Sequence, residues 1–353
     1  MERLTMLRNH FLSVIACGLL LFVSQEIISQ KLHGGIVAFY NIENLFDTIN
    51  TPDVRDGEFT PEGPKNWNSE KYWEKIDNLA QVISELGADE GFSGPSVIGL
   101  CEMENRGVLV DLVNNSHLKE DNYQIVHYDS PDKRGIDVAF LYRSDFFKVT
   151  STRSVPLLIK GDDGNRLFTR DQLVVSGLFD DEPMHFIVNH WPSRYGGEER
   201  SRGNRIAAAL LTRSLVDSIV GTDANAKVII MGDLNDDPTN ESVRLYLKAR
   251  HDKNRLKKGQ LFNATEILFK RGKGTLAYRG KWNMFDQMIL TPSLVDKNSK
   301  GYQFHSVHIY TPPKIVQQTG NYKGYPHRSY AGNNYLGGYS DHFPVYILLV
   351  KEE

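Results

Sequence analysis

Six places in the sequence put acidic, amide or histidine side chains where an apolar run ends: Asn41 and Glu43, Glu102 and Glu104, Asn189 and His190, Asp233 with Asn235 and Asp236, Asp286, and Asp341 with His342. Carboxylate oxygens are the ligands that a hard cation such as Mg²⁺ or Mn²⁺ prefers, and imidazoles exchange protons near neutral pH. Together these residue types suit hydrolysis in which a metal ion and a few oriented side chains share the work. Any one of them alone is more often a cap, a turn former or a surface charge. Six placements at the ends of predicted strands point instead to one site, because a half-buried strand delivers its terminal side chains to the sheet rim where loops converge.

The elements that must carry these residues are legible as alternating apolar runs and amphipathic stretches. Strand-like runs cover residues 35–41, 96–101, 123–128, 136–142, 173–179, 185–190, 227–231, 284–290, 306–310 and 343–350. Residues 69–86 carry Tyr72, Ile76, Leu79, Val82, Ile83 and Leu86 at helical spacing, and 202–220 carry Ile206, Leu210, Leu211 and Leu215. Many strands with few helices predict an α/β (α+β) fold in which two sheets pack together and helices cover them. Residues 47–68 and 312–338, rich in turn-forming residues, read as surface loops, and long loops in compact domains are often functional.

There is no repeat, low-complexity tract or linker, so residues 31–353 are expected to form a single domain. Arg3 and Arg8 precede an apolar run over residues 11–24, too short to span a bilayer comfortably, which reads as a cleaved export signal within residues 1–30. An uncleaved anchor and a lipid anchor on Cys17, preceded by Val14, Ile15 and Ala16, are the alternatives. Export implies a periplasmic or extracellular location. Without the leader Cys101 is the only cysteine, which excludes an internal disulfide and a cysteine-held zinc. The formal net charge of −3 argues against a protein that holds nucleic acid by bulk charge, but not against an enzyme that must release its product.

The wording around the polar positions is FYNIENLFD at 39–47, CEMEN at 101–105, VNHWPSR at 188–194, MGDLNDDP at 231–238, FDQMIL at 285–290 and YSDHFPV at 339–345. In this order the segments resemble the endonuclease/exonuclease/phosphatase superfamily over residues 36–350, with GDLN and SDHFP specific as a pair. RGIDVAFLYR at 134–143 looks closest to its predicted extracellular nucleases. The resemblance implies a four-layer sandwich of two packed mixed β-sheets flanked by helices, as in deoxyribonuclease-like proteins, and a metal-dependent phosphodiesterase.

On that resemblance Glu102 and Asn41 hold Mg²⁺ or Mn²⁺, Asp341 contributes at a second or water-mediated position, and Ca²⁺ is the candidate second ion. Asp286 orients His342, which contacts the scissile phosphate or moves a proton. Asp233 activates the attacking water, Asn235 holds that water or a phosphoryl oxygen, and His190 protonates the leaving oxygen or stabilises the phosphate. Arg170 in FTRDQL matches a phosphate-contacting arginine, its alternative being an ion pair with Asp171 or another acid, and Asn189 is the further substrate-binding candidate. Glu104 and Asp236 are expected to be structural, since adjacent side chains on an extended strand point different ways.

The expected substrate is nucleic acid, DNA or RNA, and no stable protein partner is implied. Basic residues over 248–258 and 270–281, with Tyr278 and Trp282, could hold a polyanion by charge and stacking, or could be solvated faces. A phospholipid or inositol phosphate is the second reading. Against its phosphatase branch, FDQMIL stands where that branch carries an Asp-Arg pair. A non-catalytic surface binding protein on the same fold is the third.

Overall fold

The computed structural model describes residues 32–161 and 163–352; the expected export signal and Cys17 lie outside the described residues. Gly34–Lys351 form one compact unit. Its first sheet runs in the order β12, β13, β1, β2, β4, β3 and its second in the order β9, β10, β11, β8, β7, β6, β5. The strands of the first are β1 (Leu32–Leu45), β2 (Val97–Met103), β3 (Tyr123–His127), β4 (Asp137–Arg143), β12 (Gln303–Ile309) and β13 (Val345–Glu352). Those of the second are β5 (Phe147–Val155), β6 (Gln172–Phe179), β7 (Glu182–His190), β8 (Lys227–Asp233), β9 (Ala249–Arg250), β10 (Leu261–Asn263) and β11 (Asp286–Leu290). Both sheets are mixed: β1 pairs parallel with β2 and β7 parallel with β8, while β8 pairs antiparallel with β11.

Alternation along the central strands builds the four layers. In β1, Val37 and Phe39 join Phe186, Val188, Ile229, Met231 and Met288 of the second sheet in the core between the sheets. The intervening Ile36, Ala38 and Tyr40 pack instead with Ile76, Leu79 and Ile83 of α1 (Ser69–Glu85). On the other side Ile187, Val228 and Ile230 meet Ala208, Ala209, Leu215 and Val216 of α3 (Glu198–Thr222). Strands covered on both faces read as near-continuous apolar runs. The sheets approach so closely that a Cβ on Gly99 would lie 2.6 Å from Met231 Sδ.

The structure differs from the sequence reading at the margins. Strand β5, rich in Ser and Thr, and helix α2 (Arg106–Val113) carry no long apolar pattern and were not expected. The first is an edge strand, with only one neighbour to bury it, and the second is two turns capped by the Asn105 side chain. The segment 47–68 is not merely a surface loop: Phe59 and Trp67 are buried, with Phe59 stacked on Phe46 at 4.4 Å between ring centroids. In 312–338, Ile315, Ser329 and Tyr330 are buried as well.

The aromatic cluster between the sheets sets a test of the layer assignment. Phe186 is fully buried, with ring centroids 5.0 Å from Phe140 and 5.3 Å from Phe147. Replacing Phe186 by Ala is expected to cost about 3–5 kcal/mol, read as a lower urea midpoint at unchanged slope; a loss below about 1 kcal/mol would contradict this packing.

Candidate active site

The inward rows of the two sheets end in polar side chains at one shared edge. Asn41 continues the Val37, Phe39 row of β1, Asp233 the Ile229, Met231 row of β8, and His190 the Phe186, Val188 row of β7. Asp286 opens the Met288, Leu290 row of β11. Asp233 pairs in register with His190 on one side and Asp286 on the other, so three candidates stand in one line across the sheet. The glycine of the GDLN segment serves this line: a Cβ at Gly232 would lie 2.3 Å from the Asn189 carbonyl oxygen.

Glu102 reaches the site by a different route. Simple alternation would turn it with Leu100 toward the helix layer, since Cys101 already occupies the inward row. Instead β2 shifts register between Cys101 and Met103, and Glu102 takes a left-handed backbone with φ of 70°. Such bulges re-aim side chains beside functional sites, and non-glycine residues hold this conformation only when their surroundings enforce it. Here the enforcement is local: the Asn44 N–H donates to Glu102 Oε2 at 3.1 Å and the Asn41 amide to Oε1 at 3.3 Å.

Asp233 is the centre of the cluster. Its Oδ2 accepts from Asn41 Nδ2 at 3.1 Å and lies 3.7 Å from His190 Nε2 and 3.9 Å from His342 Nε2; its Oδ1 accepts from the Asn235 N–H at 2.9 Å. His190 Nε2 also lies 3.7 Å from Glu102 Oε1. His342 is held from behind by Asp286, Nδ1 to Oδ2 2.7 Å, and its own N–H bonds Ser340 Oγ, which in turn donates to the Asn41 carbonyl. The contacts thus gather Asn41, Glu102, His190, Asp233, Asn235, Asp286 and His342 at one place.

Burial sorts the charges. It pushes the Asp233 carboxyl up to about 7, with the neighbouring His342 opposing the rise and Asp286 and Glu102 adding to it. Burial and then the charges of Arg170, Arg134 and His342 hold the His190 imidazole well below its ordinary range, so it is neutral at neutral pH. Burial also works against a charge on His342, but the Asp286, Asp233 and Asp341 carboxylates overcome it and hold that ring protonated well above the ordinary range. Two histidines driven apart in this way are suited to different proton-transfer tasks. In this state His190 carries a single ring proton and His342 carries two.

The remaining candidates sit differently. Asn189 is fully buried on the outward face of β7, where its amide bonds backbone carbonyls and its oxygen accepts from Trp191 and Thr212; the period of two turns it away from any substrate. Arg170 is also buried, its fork spent on Asp132 Oδ2 at 2.9 Å and the Trp191 carbonyl at 2.7 Å. Its acid partner is Asp132, not Asp171, whose carboxylate accepts from Ser154. Asp341 is half-buried beside His342 and Arg328. Glu104 holds the Asp47 N–H and the Thr51 hydroxyl, and Asp236 pairs with Arg205 and Arg194. Asn235 donates its amide to the Trp191 carbonyl.

The donor set fits a hard divalent cation. Glu102, Asp233 and Asp286 bring three carboxylates together, offset among their direct contacts by one protonated imidazole, one neutral imidazole and an amide. The rise of Asp233 comes first from burial, with the like charges of Asp286 and Glu102 adding to it. Glu102 supplies the carboxylate oxygens such an ion takes, whereas Asn41, expected beside it as a ligand, turns its amide nitrogen to Glu102 and Asp233 and gives its Oδ1 to the Glu43 N–H at 3.0 Å. The trio Asp233, Asp286 and His342 also lies within ligand distance of a common ion, but His342 Nδ1 and Asp286 Oδ2 are already committed to each other.

The model of the Endonuclease/Exonuclease/phosphatase family matches residues 36–351. Among solved structures, an endonuclease/exonuclease/phosphatase family protein from Bacteroides thetaiotaomicron is similar at TM-score 0.56 and 18% identity, covering 91% of this chain and 99% of that one. A mannosyl-6-phosphatase from the same organism matches at TM-score 0.54 and 18% identity over 89% and 98% of the two chains. Truncated Caenorhabditis elegans TDP2 matches at 0.53 and 16% over 90% and 97%. At these identities the likeness is one of fold. No curated protein matches the sequence.

Asp286→Asn keeps the shape of the carboxylate but removes the charge that holds the His342 proton. In an NMR titration of the metal-free protein, His342 is therefore expected to lose its proton at lower pH in the variant. An unchanged titration would show that Asp286 does not hold it.

Proposed function

Because the chain belongs to the endonuclease/exonuclease/phosphatase family, whose members are phosphoesterases, we propose that it is an exported, metal-dependent phosphodiesterase that cuts nucleic acid. The observation that carries the nucleic-acid reading is a basic and aromatic ridge continuous with the site. The hairpin formed by Leu276–Tyr278 and Lys281–Asn283 exposes Tyr278, Arg279 and Lys281. Its Gly280 N–H donates to Tyr325 Oη, whose ring lies 5.8 Å from that of Tyr322, exposed beside Lys323. Inward, Trp282 stacks on Phe343 at 6.0 Å, the residue after His342. Exposed rings interleaved with cations suit the bases and backbone of a strand. The same hairpin shows no aliphatic tip of the kind that would favour a lipid substrate.

A bound Mg²⁺ or Mn²⁺, held through Glu102, would supply Lewis-acid charge on the phosphoryl oxygens. The chain's own residues account for the proton and the remaining charge. Asp233, pushed up to about 7, is placed to accept a proton from an attacking water while Asn41 and Asn235 fix its orientation. Protonated His342 approaches the same Asp233 oxygen as His190, at 3.9 and 3.7 Å, and offsets charge on the phosphate. Neutral His190 can donate one hydrogen bond or accept one there. Export rests on the composition of residues 1–30.

Purified protein is expected to nick plasmid DNA or cleave RNA with Mg²⁺ or Mn²⁺ and to stop when EDTA is added. Asp233→Ala and His342→Ala are each expected to lower kcat by about 100-fold or more. Sphingomyelin, an inositol phosphate and mannose 6-phosphate are the comparison substrates. Turnover of one of these with no nucleic acid cut under any metal condition would replace this reading, and full activity in both variants would refute the site.

A further inference from the structure

Beside the catalytic cluster lies a pocket of 260 Å³ whose wall includes Asn44 and Asp341. Both residues border the catalytic cluster: the Asn44 N–H holds Glu102 Oε2, and Asp341 Oδ1 is 3.9 Å from His342 Nε2. Whatever is esterified to a phosphate at His342 therefore has this pocket beside it. Its base is built of aromatic rings packed on one another, Phe59 on Trp67 at 6.2 Å and Trp67 on Tyr330 at 6.1 Å, all buried, so its shape is set before a ligand arrives.

The polar groups at its mouth have hydrogen-bonding capacity to spare. Among the described residues the Arg328 guanidinium, the Asp341 carboxylate and the Asn44 side-chain amide make no hydrogen bond, and Arg328 and Asp341 face each other across 3.7 Å. Deeper in, Glu43 is spent on the Ser329 N–H at 2.7 Å and Lys75 on the Ser329 hydroxyl at 2.6 Å. A second phosphate in the pocket would meet Asp341 and Glu43, and a cation would meet Arg328 and Lys65, whose Nζ already donates to the Gly332 carbonyl at 3.2 Å. A hydroxyl meets neither objection, because it accepts from a guanidinium or amide and donates to a carboxylate at once. Building on the nuclease reading, we propose that this pocket seats the sugar bearing the scissile phosphate, reads its 2′-hydroxyl through Arg328, Asp341 and Asn44, and so directs the enzyme to single-stranded RNA. A pocket of this size admits one splayed-out sugar and not a duplex, and the 2′-hydroxyl, both donor and acceptor, is the group that separates RNA from DNA.

The test uses the purified full chain with Mn²⁺ and three single strands of one sequence: RNA, 2′-O-methyl RNA and DNA. Expected is a kcat/KM for RNA about tenfold or more above those for the other two. Arg328→Ala, checked for folding by circular dichroism, brings the RNA-to-DNA ratio to about one, and Arg328→Lys, with charge but no fork, restores less than half of it. Wild-type protein cutting RNA and DNA equally, or DNA faster, overturns the pocket assignment and leaves the nuclease reading standing. So does an Arg328→Ala variant that slows both substrates by the same factor, which would make Arg328 a backbone contact. If none of the strands is cut, the nuclease reading falls and this inference with it.

Discussion

A carboxylate buried between two sheets is costly unless neighbours compensate for it, and Asp233 imposes that condition on everything around it. Three strand ends, a bulge and one loop converge to meet it: Asn41 donates to one oxygen, the Asn235 backbone to the other, and two imidazoles stand within 4 Å. The compensation is incomplete, since Glu102 and Asp286 add charge of the same sign. That residual deficit makes a divalent cation the natural completion of the cluster, and it joins the stability of this edge to its chemistry.

Each partner of Asp233 is positioned by a residue behind it. Asp286 holds His342 and fixes the ring's proton, while Ser340 ties the same segment to the β1 backbone. Arg170 braces the Trp191 carbonyl, which also receives the Asn235 amide, and its charge helps to keep His190 neutral. From helix α1, Lys75 reaches through to Ser329 and the Tyr339 carbonyl, anchoring the segment that carries Arg328 and Asp341. Opposite protonation states for the two histidines follow from these supports, not from the histidines themselves.

Much of the architecture was readable because both central strand rows are buried, which gives apolar runs that stand out locally. The edge strand β5 and the short helix α2 were not, because one has a single neighbour to bury it and the other is too short to show a period. The seven gathered site residues came from residue type, strand-end position and family wording. Asn189 was misplaced because the same strand end offers two faces, and only the neighbour in register tells them apart.

The sequence by itself determined which polar residues lie at strand ends, since a period of two and the terminus of an apolar run are local properties. Tertiary structure alone decided which of them meet. The turn of Glu102 into the site depends on a bulge enforced from β1; the capture of Arg170 depends on Asp132, which no nearby residue announces. Likewise the segments 276–283 and 312–338 become one ridge through Gly280, Tyr325 and Trp282, and the pocket exists only where β1, the 47–68 segment and Arg328 come together. Those choices rest on contacts between groups far apart in the chain, whose energies no local spacing records.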